Sequence, residues 1–345
     1  MKLCNVRKFR SFGILMTFLG AATAVQASGS RTTLVVTASN APQNQLLVYN
    51  SAGQLLQTVS TQGQGGVGGN AGGLEARGNL LAVVNFGSQS VSLFERQGDS
   101  FQMTQWVPTV SSPVSVAFGG DHLYILGTTT VESHRMFGSS VNSAPDGTVP
   151  LLIADGSAAQ VGVVLNQLVI TEKSNMIETV QLLPGGAAGG VPTMVLNIPS
   201  NVNAPFGLVT RGNDAYVTIA HANEISLVRD GSVLTVTGSG TQSAPCWLTL
   251  VGPFLYSSNS PSMSVSRYAV YGQTIVQDSA VAAQLNGSPT DIASGDGLVA
   301  VIDSNASVSH LSIFKITEDG NLVLLQAADN ISLGANGVAV IPGVE

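Results

Sequence analysis

The stretch that decides the fold is AGGLEARGNLLAVVNFGSQSVSLF, which runs from Ala71 to Phe94. It recurs from Pro205 to Val228 as PFGLVTRGNDAYVTIAHANEISLV, with Gly-Leu and Arg-Gly-Asn in matching places. In both copies, apolar runs of about five residues are bounded by Gly, Asn and Asp, the pattern of short β-strands joined by tight turns. The repeated arginines, Arg77 and Arg211, are predicted to serve a turn or a contact between repeats, since a unique site would not recur.

Looser copies of this unit follow one another along the chain at a period of roughly 44 residues, typical of a four-stranded propeller blade. Each copy holds four short apolar runs, and no window has the period of a long amphipathic helix. The first strands of the seven copies begin at Ala71, Pro113, Gln160, Pro205, Pro245, Pro289 and Asn336. The sequence therefore predicts an all-β fold, a seven-bladed β-propeller of four-stranded blades.

The two ends of the chain predict how the propeller closes. The last copy supplies one strand, Asn336–Ile341, and the segments Leu34–Thr37, Gln45–Tyr49 and Leu55–Val59 supply three more. We therefore expect the C-terminal strand to complete the N-terminal blade, which removes a free sheet edge. The alternative fold, a single-sheet β-helix, needs shorter coils and more uniform turns than this sequence has.

The N-terminal segment has the composition of a secretory signal peptide. A basic segment, Met1–Arg10, precedes the apolar run Phe12–Leu19, and small residues lead to Ala27. We expect residues 1–27 to be removed and residues 28–345 to form one propeller domain, secreted or periplasmic. The alternative is a buried N-terminal helix. Because the apolar run is short for a bilayer, no membrane span is expected once the signal is removed.

Charge and cysteine content exclude several classes of function. The chain has 13 Lys and Arg against 20 Asp and Glu, a net charge of −7. Loss of the four N-terminal cations takes this to about −11. Nucleic-acid binding depends on cations that neutralise phosphates, so a nucleic-acid partner is not expected. Cys4 would leave with the signal peptide and Cys246 would remain alone, so no intramolecular disulfide is expected.

The candidate catalytic residues are Glu172, His221 and Glu224. Charged residues are only 10% of the chain, and Glu172 lies where other copies have small polar turn residues. His221 and Glu224 share one hairpin, and a metal site there would need ligands from other blades. The alternative for Glu172 is a charged residue in an exposed hairpin, and the alternative for His221 and Glu224 is a local hydrogen bond within their hairpin. His122 and His310 are predicted to be exposed turn or strand residues.

The glycine-rich stretch Gly63–Gly73, GQGGVGGNAGG, has the composition of a phosphate-binding loop. A phosphate cradle needs a helix after the loop, and a predicted strand follows here. We therefore predict a flexible connection between blades. No H-x-H, C-x-x-C or H-E-x-x-H spacing occurs in the sequence, so neither a metal nor a cofactor is expected.

The hairpin VVNFGSQSVSLFE, Val83–Glu95, resembles the repeat of the YVTN-type and lactonase-like seven-bladed β-propellers, and Asn259–Tyr268 and Asp303–Phe314 are further copies. The resemblance implies a site on the propeller axis. In the lactonase branch, whose members act on 6-phosphogluconolactone or form muconolactones, His and Arg at the starts of innermost strands help to form it. This chain keeps a proline at four such starts but has no His before it and no Arg after it. These starts are Ser112–Val114, Ala204–Phe206, Ala244–Cys246 and Ser288–Thr290.

The sequence favours a non-catalytic, monomeric binding module whose partner is an unknown small molecule or protein. Loops from all blades converge at the axial ends of a propeller, so the predicted binding face lies where the innermost strands begin. Its residues are Gly73, Pro113, Gln160, Pro205, Pro245 and Pro289. The alternative is a lactonase or cyclase acting on a small sugar or carboxylated lactone. A third hypothesis, based on the low content of charged residues, is a surface-layer or adhesion repeat.

Overall fold

The computed structural model describes residues 32–196 and 203–343, so the predicted signal peptide at residues 1–27 lies outside the described residues. Seven antiparallel sheets surround a central axis, which confirms the predicted all-β, seven-bladed propeller. The described residues contain two short 3-10 turns, Phe86–Ser88 and Ala220–Ala222. No helix among them is long and apolar enough to cross a bilayer.

The strands are numbered in chain order, and each blade is given from its innermost strand outward. The first blade contains β29 (Asn336–Ile341), β1 (Leu34–Ala38), β2 (Gln45–Asn50) and β3 (Leu55–Ser60). The second contains β4 (Leu74–Arg77), β5 (Leu80–Asn85), β6 (Ser90–Gln97) and β7 (Ser100–Pro108). The third contains β8 (Pro113–Gly119), β9 (His122–Gly127), β10 (Thr130–Phe137) and two short outer strands, β11 (Ser140–Val141) and β12 (Gly147–Pro150).

The remaining four blades are more uniform. The fourth contains β13 (Ala158–Val164), β14 (Gln167–Glu172), β15 (Met176–Gln181) and β16 (Thr193–Met194). The fifth contains β17 (Pro205–Arg211), β18 (Asp214–Ile219), β19 (Glu224–Arg229) and β20 (Ser232–Gly238). The sixth contains β21 (Pro245–Val251), β22 (Phe254–Asn259), β23 (Ser264–Tyr271) and β24 (Thr274–Gln284). The seventh contains β25 (Ser288–Gly295), β26 (Leu298–Ser304), β27 (Ser309–Ile316) and β28 (Leu322–Ile331).

The propeller closes as the sequence predicts. Strand β29 pairs antiparallel with β1, from Leu34 opposite Ile341 to Ala38 opposite Asn336. The Thr37 hydroxyl also donates to the Gly337 carbonyl at 2.7 Å. One sheet is thus built from both ends of the described chain: β1 is paired on both sides, and β29 takes the innermost position beside the axis.

The asparagine of the repeat braces the turn between the second and third strands of a blade. Asn85 is fully buried, donates through Nδ2 to Ser92 Oγ at 2.8 Å and accepts from Thr61 Oγ1 at 2.6 Å. Asn259 donates in the same way to Ser266 Oγ at 2.9 Å. Because a buried amide without partners would be costly, this part of the repeat has a structural role.

The core lies between neighbouring blades, where large side chains fill the space and their polar ends find partners. Tyr256 is fully buried, and its hydroxyl donates to the carbonyl of Gly320 on the next blade at 2.7 Å. Gly320 has a φ of +75°, and a Cβ there would lie 2.6 Å from the Phe254 ring, so glycine is required. Tyr124 makes the equivalent bond to the Gly186 carbonyl, also at 2.7 Å.

Candidate functional site

The innermost strands of all seven blades surround a cavity of about 400 Å³ on the propeller axis. This size is typical of small-molecule pockets, which span roughly 300–1,000 Å³. None of the described residues that line the cavity is Lys, Arg or His. Its polar side chains are Glu75, Gln160, Thr210, Thr249, Asp291 and Ser294. We call this space the axial cavity.

One end of the axial cavity is covered by the loop between β3 and β4. In this loop Asn70 is 1% exposed, and its carbonyl accepts a hydrogen bond from Trp247 Nε1 at 2.9 Å. Its side chain donates to the Val114 carbonyl at 2.6 Å and accepts from Asn336 Nδ2 at 3.0 Å. These partners belong to the sixth, third and first blades, so the loop crosses the axis.

Two further residues fix the loop from outside. Lys173 Nζ donates to the Gly69 carbonyl and lies 5.9 Å from the centroid of the Phe206 ring. The Asn40 side chain accepts from the backbone amide of Gly66 at 2.7 Å. The glycine-rich stretch does connect two blades, as predicted, but the prediction of a flexible connection missed its packed, axis-covering arrangement. That arrangement depends on partners from several distant blades.

The structure places the predicted binding face beneath this loop. Of its six residues, Gln160 alone lines the axial cavity, and its Oε1 accepts from the Leu208 amide at 2.6 Å. The other five are buried, namely Gly73, Pro113, Pro205, Pro245 and Pro289. The cavity wall extends instead to residues near the far ends of the innermost strands, such as Thr210 and Ser294. The open end is therefore the one where β4 and its counterparts turn into the second strands.

Two carboxyl groups border the axial cavity. Asp291, on β25, is 5% exposed and accepts from the Ile292 amide at 2.9 Å. Burial raises its pKa to about 7, while hydrogen bonds from the backbone of Ile292, Val338 and Gly72 act in the opposite direction. These bonds fix the carboxyl in place between the seventh, first and second blades.

Glu75, on β4, is the more accessible carboxyl. It keeps a partial exposure because it borders the cavity, although protein packs densely around it. Burial raises its pKa to about 8, and a hydrogen bond from the Phe118 backbone and the charge of Arg77 lower it in part. Near neutral pH, Glu75 can therefore hold or release a proton.

Sequence reasoning missed Glu75 and Asp291. Each is a single acidic residue inside the short apolar run that forms an innermost strand, LEAR and PTDIA. Only 10% of the chain is charged, so an acidic residue within an apolar innermost strand is the feature that could have indicated these two site residues. An acidic residue on an innermost strand borders either the axis or a neighbouring blade, and both places restrict its access to water.

The predicted catalytic candidates lie on the fourth and fifth blades, outside the wall of the axial cavity. Glu172 ends β14 and is fully buried, so its alternative as an exposed hairpin residue is wrong. Its Oε2 accepts from Ser157 Oγ at 2.9 Å, and burial raises its pKa to about 8. His221 is exposed in the turn Ala220–Ala222, and Glu224 is half-buried at the start of β19.

Two histidines predicted to be exposed are buried, so that prediction was wrong. His122 is fully buried, and its Nε2 lies 2.7 Å from Asp146 Oδ2, whose other oxygen accepts from Ser133 Oγ at 2.7 Å. In a catalytic triad the histidine bonds to the serine hydroxyl. Here Asp146 lies between Ser133 and His122, so His122 does not contact the hydroxyl and cannot act on it as a general base. His310 is 6% exposed, with Nδ1 2.9 Å from Asp303 Oδ1. Both form local polar networks, which their positions in the sequence did not reveal.

No protein-family model matches this chain, and no curated protein sequence matches it. Solved structures do share its fold. A candidate 6-phosphogluconolactonase from Bacteroides fragilis NCTC 9343 is 14% identical with a TM-score of 0.67, covering 92% of this chain and 99% of that one. Another, from Bacteroides uniformis ATCC 8492, is 15% identical with a TM-score of 0.65, covering 90% and 100%.

A third similar structure is a domain of a different kind of protein. The β-propeller domain of Cps50 (Swd1) from Myceliophteria thermophila is 11% identical with a TM-score of 0.59, covering 76% of this chain and 87% of that one. At such identities a likeness shows the fold alone. The chain thus has the lactonase-like seven-bladed β-propeller fold.

Proposed function

We propose that this protein is an exported, non-catalytic binding module that takes a small ligand into the axial cavity through its open end. The observation that carries the proposal is the wall of that cavity, where polar side chains from several blades converge on an enclosed space. The Thr249 and Ser294 hydroxyls lie 2.6 Å apart and bond to each other, so neither is paired with a base that would make it a nucleophile.

Export belongs to the same proposal and is supported by the N-terminal sequence. A basic segment, a short apolar run and small residues up to Ala27 are the parts of a signal peptide. The acidic mature chain is suited to a small-molecule or protein partner and not to nucleic acid.

The alternative function, a lactonase or cyclase, is favoured by one observation. Burial gives Glu75 and Asp291 pKa values of about 8 and about 7, which suit general acid and base groups at neutral pH. Two of the similar structures are also candidate lactonases. Against it, no described residue that lines the cavity is a cation that could hold a phosphate or carboxylate of the substrate. We therefore place binding first.

The test combines a ligand screen with a variant that narrows the open end. The protein purified after export would be screened by thermal shift and calorimetry against small amines, polyols and lactones. Thr210→Trp would obstruct the axial cavity, and Thr235→Trp, on the outer strand β20, is the matched control. We expect binding to be lost in the first variant and retained in the second.

Two results would contradict the proposal. Binding that survives Thr210→Trp unchanged would place the ligand elsewhere on the molecule. Turnover of a sugar or muconate lactone that Glu75→Gln abolishes would establish the enzyme instead.

A further inference from the structure

We propose that the ligand of the axial cavity is a small organic cation, such as an alkylammonium or guanidinium compound, held by the carboxylate of Glu75. This inference rests on the proposed function, because it names the class of ligand for the same cavity. It follows from the charges on the wall, the hydrogen-bonding capacity of Glu75 and the aromatic residues in the same wall.

The charges on the wall are of one sign. Glu75 and Asp291 are acidic, and none of the described residues lining the cavity is cationic. The strands on either side of β4, which are β8 and β29, contain no charged residue, and neither does its partner β5. The charge of Arg77, two residues away on the same strand, lowers the pKa of Glu75. Its guanidinium, however, donates to the Gly120 carbonyl of the next blade at 2.5 Å, and Arg77 does not line the cavity. An ionised Glu75 therefore lacks a partner of opposite charge within the wall.

Glu75 also has unused capacity to accept hydrogen bonds. A carboxylate offers about four acceptor positions. The Ile292 amide donates to Asp291 Oδ1 at 2.9 Å, and the backbone of Val338 and Gly72 also lowers the pKa of Asp291, whereas for Glu75 the backbone of Phe118 alone does so. Glu75 is thus placed to contact a ligand directly, and Asp291 adds negative charge from a fixed position. An ammonium or guanidinium group, which only donates, is complementary to such a site.

The rest of the wall suits the body of an organic cation. Trp247 and Phe118 both line the axial cavity. The Trp247 ring is held by the bond from its Nε1 to the Asn70 carbonyl and by edge contact with Phe206, whose centroid lies 5.3 Å away. A cavity wall that holds both aromatic residues and a carboxylate favours a cation with an apolar chain over an inorganic ion or an anion.

The experiment uses three probes with one carbon skeleton and different charges: butylammonium, butanol and butyrate. Calorimetry on the full propeller from about pH 6 to about pH 9, in two buffers of different ionisation enthalpy, measures affinity and proton exchange together. We expect butylammonium to bind, to release protons on binding and to bind about tenfold more weakly for each pH unit below the pKa of Glu75, because the carboxyl must first lose its proton. Glu75→Gln should weaken binding at least about tenfold. Glu318→Gln, which removes the same charge from an exposed site outside the cavity, should leave it unchanged.

The possible failures can be told apart. Equal binding of butanol or butyrate, insensitive to Glu75→Gln, would overturn the cation and leave the proposed function in place. The same holds if no probe binds but the wider screen yields a ligand blocked by Thr210→Trp. A screen without any ligand that Thr210→Trp blocks overturns both proposals. A lower melting temperature of Glu75→Gln would mean that its loss of binding could come from damage to the fold. In that case, proton release when butylammonium binds the unmodified protein tests the role of Glu75, since neutral probes release no protons.

Discussion

The second and fifth blades carry the two best-matched copies of the repeat, and their innermost strands differ at one informative position. Where the sequences agree, the contacts agree. Arg77 donates to the Gly120 carbonyl at 2.5 Å, and Arg211 donates to the Gly252 carbonyl at 2.7 Å, each in the first turn of the following blade. The predicted contact between repeats is thus confirmed for both arginines.

Where the two copies differ, the chemistry of the cavity changes. Glu75 occupies the position on β4 that Val209 occupies on β17, two residues before the shared arginine, and both line the axial cavity. One copy gives the wall a carboxyl group and the other gives it an apolar side chain. The comparison teaches that the residues shared by the copies hold the propeller together. The residues that vary on the innermost strands set the chemistry of the axial cavity.

The largest expected effect comes from breaking the assembly that all blades share. Deletion of residues 336–345 would remove β29, leave β1 as an unpaired inner edge and take Val338 to Val340 from the cavity wall. We expect the cooperative melting transition to disappear in circular dichroism and calorimetry, because closure holds the first blade in the ring. Truncation after Gly343 is the control and should melt normally. A deletion variant that melts like the parent would contradict the closure.

An intermediate effect is expected from making the second blade resemble the fifth. Because burial raises the pKa of Glu75 to about 8, the folded protein binds more protons than the unfolded chain from the unfolded pKa up to that value. The stability that protonation of Glu75 provides is therefore present at acidic pH and is lost as the pH rises through the pKa of the folded protein. Glu75→Val should remove this loss and raise the free energy of unfolding at about pH 9 by up to about 5 kcal/mol.

Denaturant unfolding of both proteins at acidic and alkaline pH measures this difference. The control is Glu318→Val, at an exposed site where no such change with pH is expected. Parallel stability curves for the parent and Glu75→Val would show that the carboxyl is not held in its neutral form.

The smallest effect is expected at the shared arginines. Arg77→Ala and Arg211→Ala each remove an exposed bond between blades, so each should cost about 1 kcal/mol, with Arg211 slightly more costly because it also lies over the Tyr216 ring at 5.7 Å. Their costs should add in the double variant, since the sites are on separate blades. Urea unfolding measures all three. Ligand binding should be unchanged in Arg211→Ala and retained in Arg77→Ala, where removal of the charge raises the pKa of Glu75 further. A loss of binding in Arg77→Ala alone would give this arginine a role at the cavity.

The sequence by itself determined the blade count, the strand order and the closure. Each depends on local patterns, namely apolar runs of strand length, Gly and Asn at turns, and a fixed period. The strand and turn patterns are visible within a single copy, so Ala71–Phe94 alone indicates the blade, and its recurrence along the chain gives the period.

The tertiary structure alone decided which residues meet at the axis. The bond between Asn70 and Trp247 joins positions 177 residues apart, and Asp291 takes amides from two other blades. Only closure of the ring brings these strands together, and no local pattern encodes their register around the axis. For that reason the sequence predicted a binding face at Pro113 and its counterparts, while the accessible polar wall lies deeper, around Glu75. The repeat therefore predicts the propeller fold, whereas the candidate site depends on seven innermost strands of different sequence that only the closed ring brings together.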